Sequence, residues 1–376
     1  MIGIVTVYTV PNYGTKLQAY AMQNIMSKYD KAELIGFVSK TDTRPSAVLG
    51  KLYLKVHQKR NIHITRPDIE QARIREKAIA SFNQHYIFGK TIKGTANLRK
   101  EAHKYRAIVC GSDQLWAPMN VIADYYTLTA FPKDVIRFSY AASFGVSEIP
   151  NKLKKKYTAF LKRLSKVSVR EESGAQIVKE LTGYNAQVVL DPTLMVERCE
   201  WETLCKTKKE SGFDNYIFCY FLGKQMKHRE FVNELAKLTG KQIITIPHFK
   251  EWNEADQNFG DIQLYNVDPV DFLNYIRNAD IVCTDSFHGT VFSLIFNCKV
   301  AVFERFNKTS RESTNSRIYS LLKQLDLDSQ LITDETSVEE FLQNEIPYNT
   351  VEKRLQSLRA DSFAYLDTVL GRGQQK

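Results

Sequence analysis

The sequence predicts an α/β protein built from two Rossmann-like domains, parallel sheets covered by helices, facing each other across a cleft. Three observations carry that expectation. Apolar runs of strand length alternate with helical periodicities along most of the 376 residues. The rhythm breaks at the polar, charged stretch 197–215 and then restarts, which divides the chain into domains at 1–196 and 215–376. Strand exits such as Thr284-Asp285-Ser286, and Asp268-Pro269-Val270-Asp271 before a helical run, carry residues that cap a helix start.

In chain order, 2–7 reads as a first strand, 16–28 as a helix with Leu17, Tyr20, Ala21, Asn24 and Ile25 near one face, and 32–38 as a second strand. Residues 40–100 form a basic insertion that lacks strand patterning over most of its length and contains a helix at 68–85. Strands follow at 106–110, 135–141, 166–170 and 186–190, with a lysine-rich helix at 152–164, another at 173–181, and the turn Asp191-Pro192-Thr193 closing the first half. The second half reads as strand 216–222, helix 227–238, strand 241–246, helix 269–277, strand 280–283, helix 286–297 and strand 299–303. Helices from about 317 to 370 end the chain and are free to pack back on the first domain.

A composition of 43% hydrophobic and 25% charged residues is that of a globular protein with sizeable cores. The formal charge of +10 points to an anionic partner: a phosphorylated small molecule, an acidic membrane surface or nucleic acid. The basic stretches lack interleaved aromatics and a groove-reading helix, which argues against nucleic acid. No run reaches the length of a membrane span, and the chain enters directly on Met1-Ile2-Gly3-Ile4-Val5, so a cytoplasmic location is expected. The six cysteines form no C-x-x-C pair and no zinc-type grouping, and Cys110, Cys219 and Cys283 read as small buried hydrophobes; no metal or cofactor is expected. The fingerprints of dinucleotide, P-loop, zincin and α/β-hydrolase sites are missing.

Chemistry is expected just beyond the carboxyl ends of the strands. The run Ile281-Val282-Cys283-Thr284-Asp285-Ser286-Phe287-His288-Gly289-Thr290 reads as a buried strand entering a helix. The N–H groups at such a helix start and its positive dipole end favour phosphate or carboxylate, which marks Ser286, Gly289 and Thr290, supported by Asp285. The same potential should keep His288 neutral and able to act as a base, although a histidine simply packed at a strand end fits the spacing equally. Asn12-Tyr13-Gly14 follows the first strand, where Gly14 permits close backbone approach; an ordinary turn explains it too. Ser112, Asp113, Gln114 and Trp116 offer hydrogen bonds and a stacking ring suited to a sugar, or a capped turn with a packed Trp. Arg170 can pair with an anion or be held by Glu171 or Glu172. Arg305 ends another strand, with Lys308, Arg311 and Arg317 behind it as a solvated basic loop.

Taken in order, Asn12-Tyr13-Gly14 with Leu17-Gln18-Ala19-Tyr20-Ala21, Gly111-Ser112-Asp113-Gln114-Leu115-Trp116, Tyr140-Ala141-Ala142-Ser143-Phe144-Gly145, Ser168-Val169-Arg170-Glu171, Asp191-Pro192-Thr193 and Thr284-Asp285-Ser286-Phe287-His288-Gly289 resemble the polysaccharide pyruvyl transferase family over about residues 1–325. The resemblance implies a GT-B-like fold and transfer of the pyruvyl group of phosphoenolpyruvate to a sugar, free or lipid-linked, as a cyclic ketal. It also implies that His288 and Arg170 are catalytic, with Asn12, Tyr13, Gly14, Ser286, Gly289, Thr290 and Arg305 on the donor's phosphate and carboxylate. Lys16 departs from the family, standing where many relatives are apolar. Two rivals are a GT-B glycosyltransferase using a nucleotide sugar and a non-catalytic sugar-binding protein of a polysaccharide assembly complex. The basic helix at 152–164 would suit peripheral contact with the inner membrane face, although solvation of its lysines is the favoured explanation.

Overall fold

A computed structural model describes residues 1–38, 66–121, 124–208, 212–247, 253–306 and 315–371. The first sheet is entirely parallel, in the order Ala32–Leu34, Ile2–Val5, Ala107–Cys110, Ile136–Ser139. Bridges from Phe138 to Lys166 and from Ala142 to Val169 extend it toward the parallel pair Ser168–Val169 and Gln187–Val188. The second sheet is parallel throughout, in the order Ile262–Gln263, Gln242–Thr245, Tyr216–Tyr220, Ile281–Thr284, Lys299–Phe303, Leu331–Ile332. Its central strands are buried along their whole length, as strands covered on both faces must be, and this is why they read as unbroken apolar runs.

The helix Tyr13–Ser27 is buried nearly all round rather than along one stripe, which places it between the sheets. Tyr13 stacks on Phe272 with centroids 4.7 Å apart and planes 4° apart, and its hydroxyl donates to Val267 O at 3.2 Å. The largest apolar cluster runs unbroken from Ile2 and Leu17 through Trp201 to Phe218, Val282 and Phe292. The two sheets therefore share one core beneath the cleft. The C-terminal helix Tyr348–Leu370 closes the back: Arg359 Nε donates to Leu194 O at 2.7 Å, and Tyr365 Oη donates to Ser139 O at 2.7 Å.

The stretch 197–215, expected as a linker, opens with a helix, Arg198–Cys205. Trp201 is fully buried, donates to Thr193 O at 3.1 Å and meets Phe292 edge-on at 5.0 Å. A Glu197–Glu200 capping box and the face Trp201-Leu204-Cys205 were masked by the surrounding charge. Of the expected insertion, 40–65 lie outside the described residues; the rest touches both domains. Arg75, on the helix Arg66–Ser81, donates to Pro247 O and to Leu264 O at 2.7 Å. Ile92–Lys93 pairs with Phe37–Val38, so the segment also carries a short strand. Lys16 is buried, donates to Tyr8 O at 2.5 Å and Asn83 Oδ1 at 2.6 Å, and burial lowers its pKa to about 8. A long amine reaching two carbonyl-type oxygens explains a lysine where an apolar residue would leave both unpaired.

Candidate active site

The carboxyl ends of both sheets open onto one cavity of about 340 Å³. From the first domain come Asn12, Thr15, Asp113, Gln114, Asn120 and Tyr126; from the second come Asp285, Ser286, Phe287, His288, Arg305 and Arg317.

The strand Ile281–Thr284 delivers Asp285, whose carboxylate accepts from Leu222 N at 2.6 Å and Gly223 N at 2.8 Å. Burial raises the pKa of Asp285, and those two N–H groups partly offset the rise. Ser286 caps the helix Phe287–Ile295: its Oγ accepts from Gly289 N at 3.3 Å, and its carbonyl accepts from Thr290 N at 2.9 Å. The N–H groups of Gly289 and Thr290, expected on the donor's anion, are therefore used by the helix itself. Among the described residues, the unpaired N–H groups of this first turn are those of Phe287 and His288.

His288 is 7% exposed, and its ring lies directly over Gly14: a Cβ on Gly14 would sit 2.1 Å from Nδ1. Gly14 thus gives close approach to a protein imidazole and does not line the cavity. Burial is the main cause that lowers the His288 pKa to about 4; Asp191 and Asp113 pull it up, while Arg170 and Arg317 push it down. The ring is neutral at pH 7 as expected, with desolvation rather than the helix dipole as the leading cause.

Phe287 presents its ring between two guanidiniums, Arg170 at 4.5 Å and Arg317 at 5.8 Å. Arg317, read from sequence as part of a solvated loop, faces the cavity from the helix Ser316–Leu325; burial lowers its pKa to about 10, which leaves it charged. Arg305 lines the cavity beside it, and among the described residues no carboxylate lies in ion-pair range of it. Across the cleft, Asp113 accepts from Thr15 Oγ1 at 2.9 Å. Burial would raise the pKa of Asp113, but Arg170, His288 and Arg317 hold it below the usual carboxylate range.

Several expected roles are corrected. Trp116 is fully buried, edge-on to Phe144 and Phe160 at 5.3 Å each, with its indole N–H on Tyr126 O, so no sugar can stack on it. Ser112 is fully buried with its hydroxyl on Ala141 O and Asp191 Oδ2, and is closed to an acceptor. Tyr13 belongs to the interdomain packing, while Asn12 lines the cavity and caps Thr15 N at 3.0 Å. Arg170 does not line the cavity: Nη1 donates to Asp191 Oδ2 at 2.5 Å, and Glu171 lies 3.8 Å from Nε. Asp113, Gln114, Asp285, Ser286, His288 and Arg305 do come together. Thr15, Asn120, Tyr126 and Arg317 also line the cavity, and no local pattern in the sequence marked them, because they converge only through the tertiary fold.

A family model described as polysaccharide pyruvyl transferase matches residues 12–305. No curated protein matches the chain. Among solved structures, a Listeria monocytogenes protein assigned as UDP-N-acetylglucosamine 2-epimerase is similar at TM-score 0.50 and 11% identity, covering 98% of this chain and 95% of that one. An S. aureus protein described as MnaA, solved with UDP, is similar at TM-score 0.50 and 14% identity, covering 96% and 90%. These likenesses show the GT-B-type architecture of two facing α/β domains. Among the described residues no helix is long and apolar enough to cross a membrane.

Proposed function

Because the chain belongs to the polysaccharide pyruvyl transferase family, we propose that it moves the pyruvyl group of phosphoenolpyruvate onto two hydroxyls of one sugar, in a polysaccharide or its lipid-linked precursor, as a cyclic ketal. One observation carries the reading: a neutral, desolvated imidazole shares one cavity with two guanidiniums and with two helix N–H groups unpaired among the described residues. The donor carries a phosphate and a carboxylate on its reacting carbon, so it needs two cationic ends around a proton-transfer group.

In this reading Arg305, Arg317 and the N–H groups of Phe287 and His288 hold the two anions. The donor's arrival brings negative charge beside a ring that burial, helped by Arg170 and Arg317, otherwise keeps deprotonated, so binding itself raises the affinity of His288 for a proton. The imidazolium then gives that proton to the terminal methylene, making a methyl group and a cationic carbon. One sugar hydroxyl adds there and loses its proton to the regenerated imidazole. Phosphate leaves with the bridging oxygen, taking that proton from the imidazolium, and the second hydroxyl adds to the same carbon and gives its proton to the imidazole. Asp113, ionised and fixed by Thr15, accepts a hydrogen bond from the acceptor and orients it. Gln114 lines the cavity beside it and offers the sugar a second polar side chain.

The test is incubation with phosphoenolpyruvate and cell-wall or capsule sugars, read by phosphate release and by mass spectrometry for pyruvate added less water. Phosphate release only with acceptor present, lost about 10²–10⁴-fold in His288→Ala, is expected. Tight calorimetric binding of a nucleotide sugar with none of phosphoenolpyruvate would replace the proposal by a glycosyltransferase. Binding of sugar with no turnover would favour the non-catalytic reading.

A further inference from the structure

The buried carboxylate of Asp191 is not explained by the cavity alone. It stands at the start of the turn Pro192–Met195 in the first domain, fully ionised: burial works against its charge, yet Arg170, His288 and the donors of Thr193 bring its pKa down to about 2. Four hydrogen bonds fix it. Oδ1 accepts from Thr193 N at 3.0 Å and Thr193 Oγ1 at 2.6 Å; Oδ2 accepts from Ser112 Oγ at 3.0 Å and Arg170 Nη1 at 2.5 Å. Its Oδ1 lies 3.9 Å from Nε2 of His288, across the domain boundary. That Nε2 is sealed from solvent and has no hydrogen-bond partner among the described residues.

We propose that Asp191 is the positioning residue and counter-ion of His288, so that the second domain's imidazole can hold a proton only against the first domain's carboxylate. The inference rests on the acid/base role given to His288 above. An approach of about 1 Å between the domains brings Nε2 within hydrogen-bond range of Oδ1. The Thr193 hydroxyl, free to rotate, gives up its place on that oxygen. The ring is then held through Nε2, with Nδ1 against Gly14, whose missing side chain makes room for it. The other charges facing the ring are Arg170 from the end of Ser168–Val169, Asp113 from the loop after Ala107–Cys110, and Arg317 from the helix Ser316–Leu325. The two guanidiniums oppose protonation, and among the described residues the carboxylate in ion-pair range of the ring is that of Asp191, which makes it the fixed anion beside Nε2. Arg170 in this arrangement acts through Asp191 and is itself a positioning residue.

Histidine-detected NMR titration of the full chain tests this without substrate, with His288→Gln used to assign the signal. Asp191→Asn keeps the size of the side chain and its cap on Thr193 N, and should lower the His288 titration point by at least one pH unit, about tenfold in proton affinity. In turnover it should lower kcat about 10- to 100-fold, while the donor KM changes less than about threefold, since the phosphate and carboxylate ligands are intact. Unpairing Arg170 puts folding at risk, so Arg170→Met alone and Arg170→Met with Asp191→Asn form the second arm; the double variant removes both buried charges together. His288 should titrate lower in the double variant than in Arg170→Met. Equal titration in either comparison overturns the proposal. If the titration moves and no ketal forms with any acceptor, the functional reading falls and the Asp191–His288 coupling stands.

Discussion

Gly14→Ala is the sharpest perturbation this site offers, because its effect is set by one distance. The added Cβ would meet His288 Nδ1 at 2.1 Å, Cγ at 2.4 Å and Cβ at 2.8 Å, so the imidazole must retreat by about 1.3 Å to reach ordinary contact. The helix Tyr13–Ser27 cannot move away instead, since Tyr13 beside it is stacked on Phe272 and bonded to Val267 O. On stability two effects oppose: overpacking costs about 1–3 kcal/mol, and alanine's helix preference returns up to about 1 kcal/mol. The variant should therefore stay folded, with a small fall in Tm. Activity is a different matter, because displacing a proton-transfer group by about 1 Å costs on the order of 10²-fold. The assay is acceptor-dependent phosphate release from phosphoenolpyruvate, with donor affinity measured by calorimetry on the same preparation. A folded variant with near-normal donor affinity and turnover down about 100-fold is expected. Wild-type turnover in that variant would show that the position of the ring does not matter, and the role given to His288 would go with it.

Arg317→Ala should weaken donor binding about 10- to 100-fold, the value of one or two charge-assisted hydrogen bonds, and an unchanged calorimetric Kd would remove Arg317 from the anion site. Trp116→Ala should cost about 3–5 kcal/mol in chemical denaturation and leave acceptor KM unaltered wherever the variant is folded, because the ring is sealed in the core; a selective rise in acceptor KM would restore the stacking role. The chain should lose stability in mild acid. His288 has a folded pKa of about 4 against about 6.5 when unfolded, so the unfolded chain takes up the proton first; stability is full above pH 6.5 and falls as the pH drops toward 4. Between pH 7 and pH 5 that single group accounts for about 2 kcal/mol, and His288→Asn should show a correspondingly shallower decline in urea denaturation; parallel declines would refute the burial of the neutral ring.

The sequence by itself determined the alternation of parallel strands and helices, the strand Ile281–Thr284 with its capped helix, and the short motifs that mark the family. Those features are local: apolar runs of strand length, a serine at an N-cap and a glycine in a turn each act through neighbours a few residues away. Tertiary structure alone decided which polar strand-end residues face the cleft. Asp113 and Trp116 are three positions apart, yet one lines the cavity and the other is core, because the loop turns between them with Asp113 at a positive φ of 69°. Arg170 and Arg317 exchanged their expected places for a related reason. A buried carboxylate from a distant turn holds the first, and the second reaches the cavity from the helix Ser316–Leu325, so their surroundings depend on contacts that no sequence period records. The charge state of His288 was legible from its helix position, but its main cause, burial beneath the other domain's Gly14, exists only once the two sheets share a core.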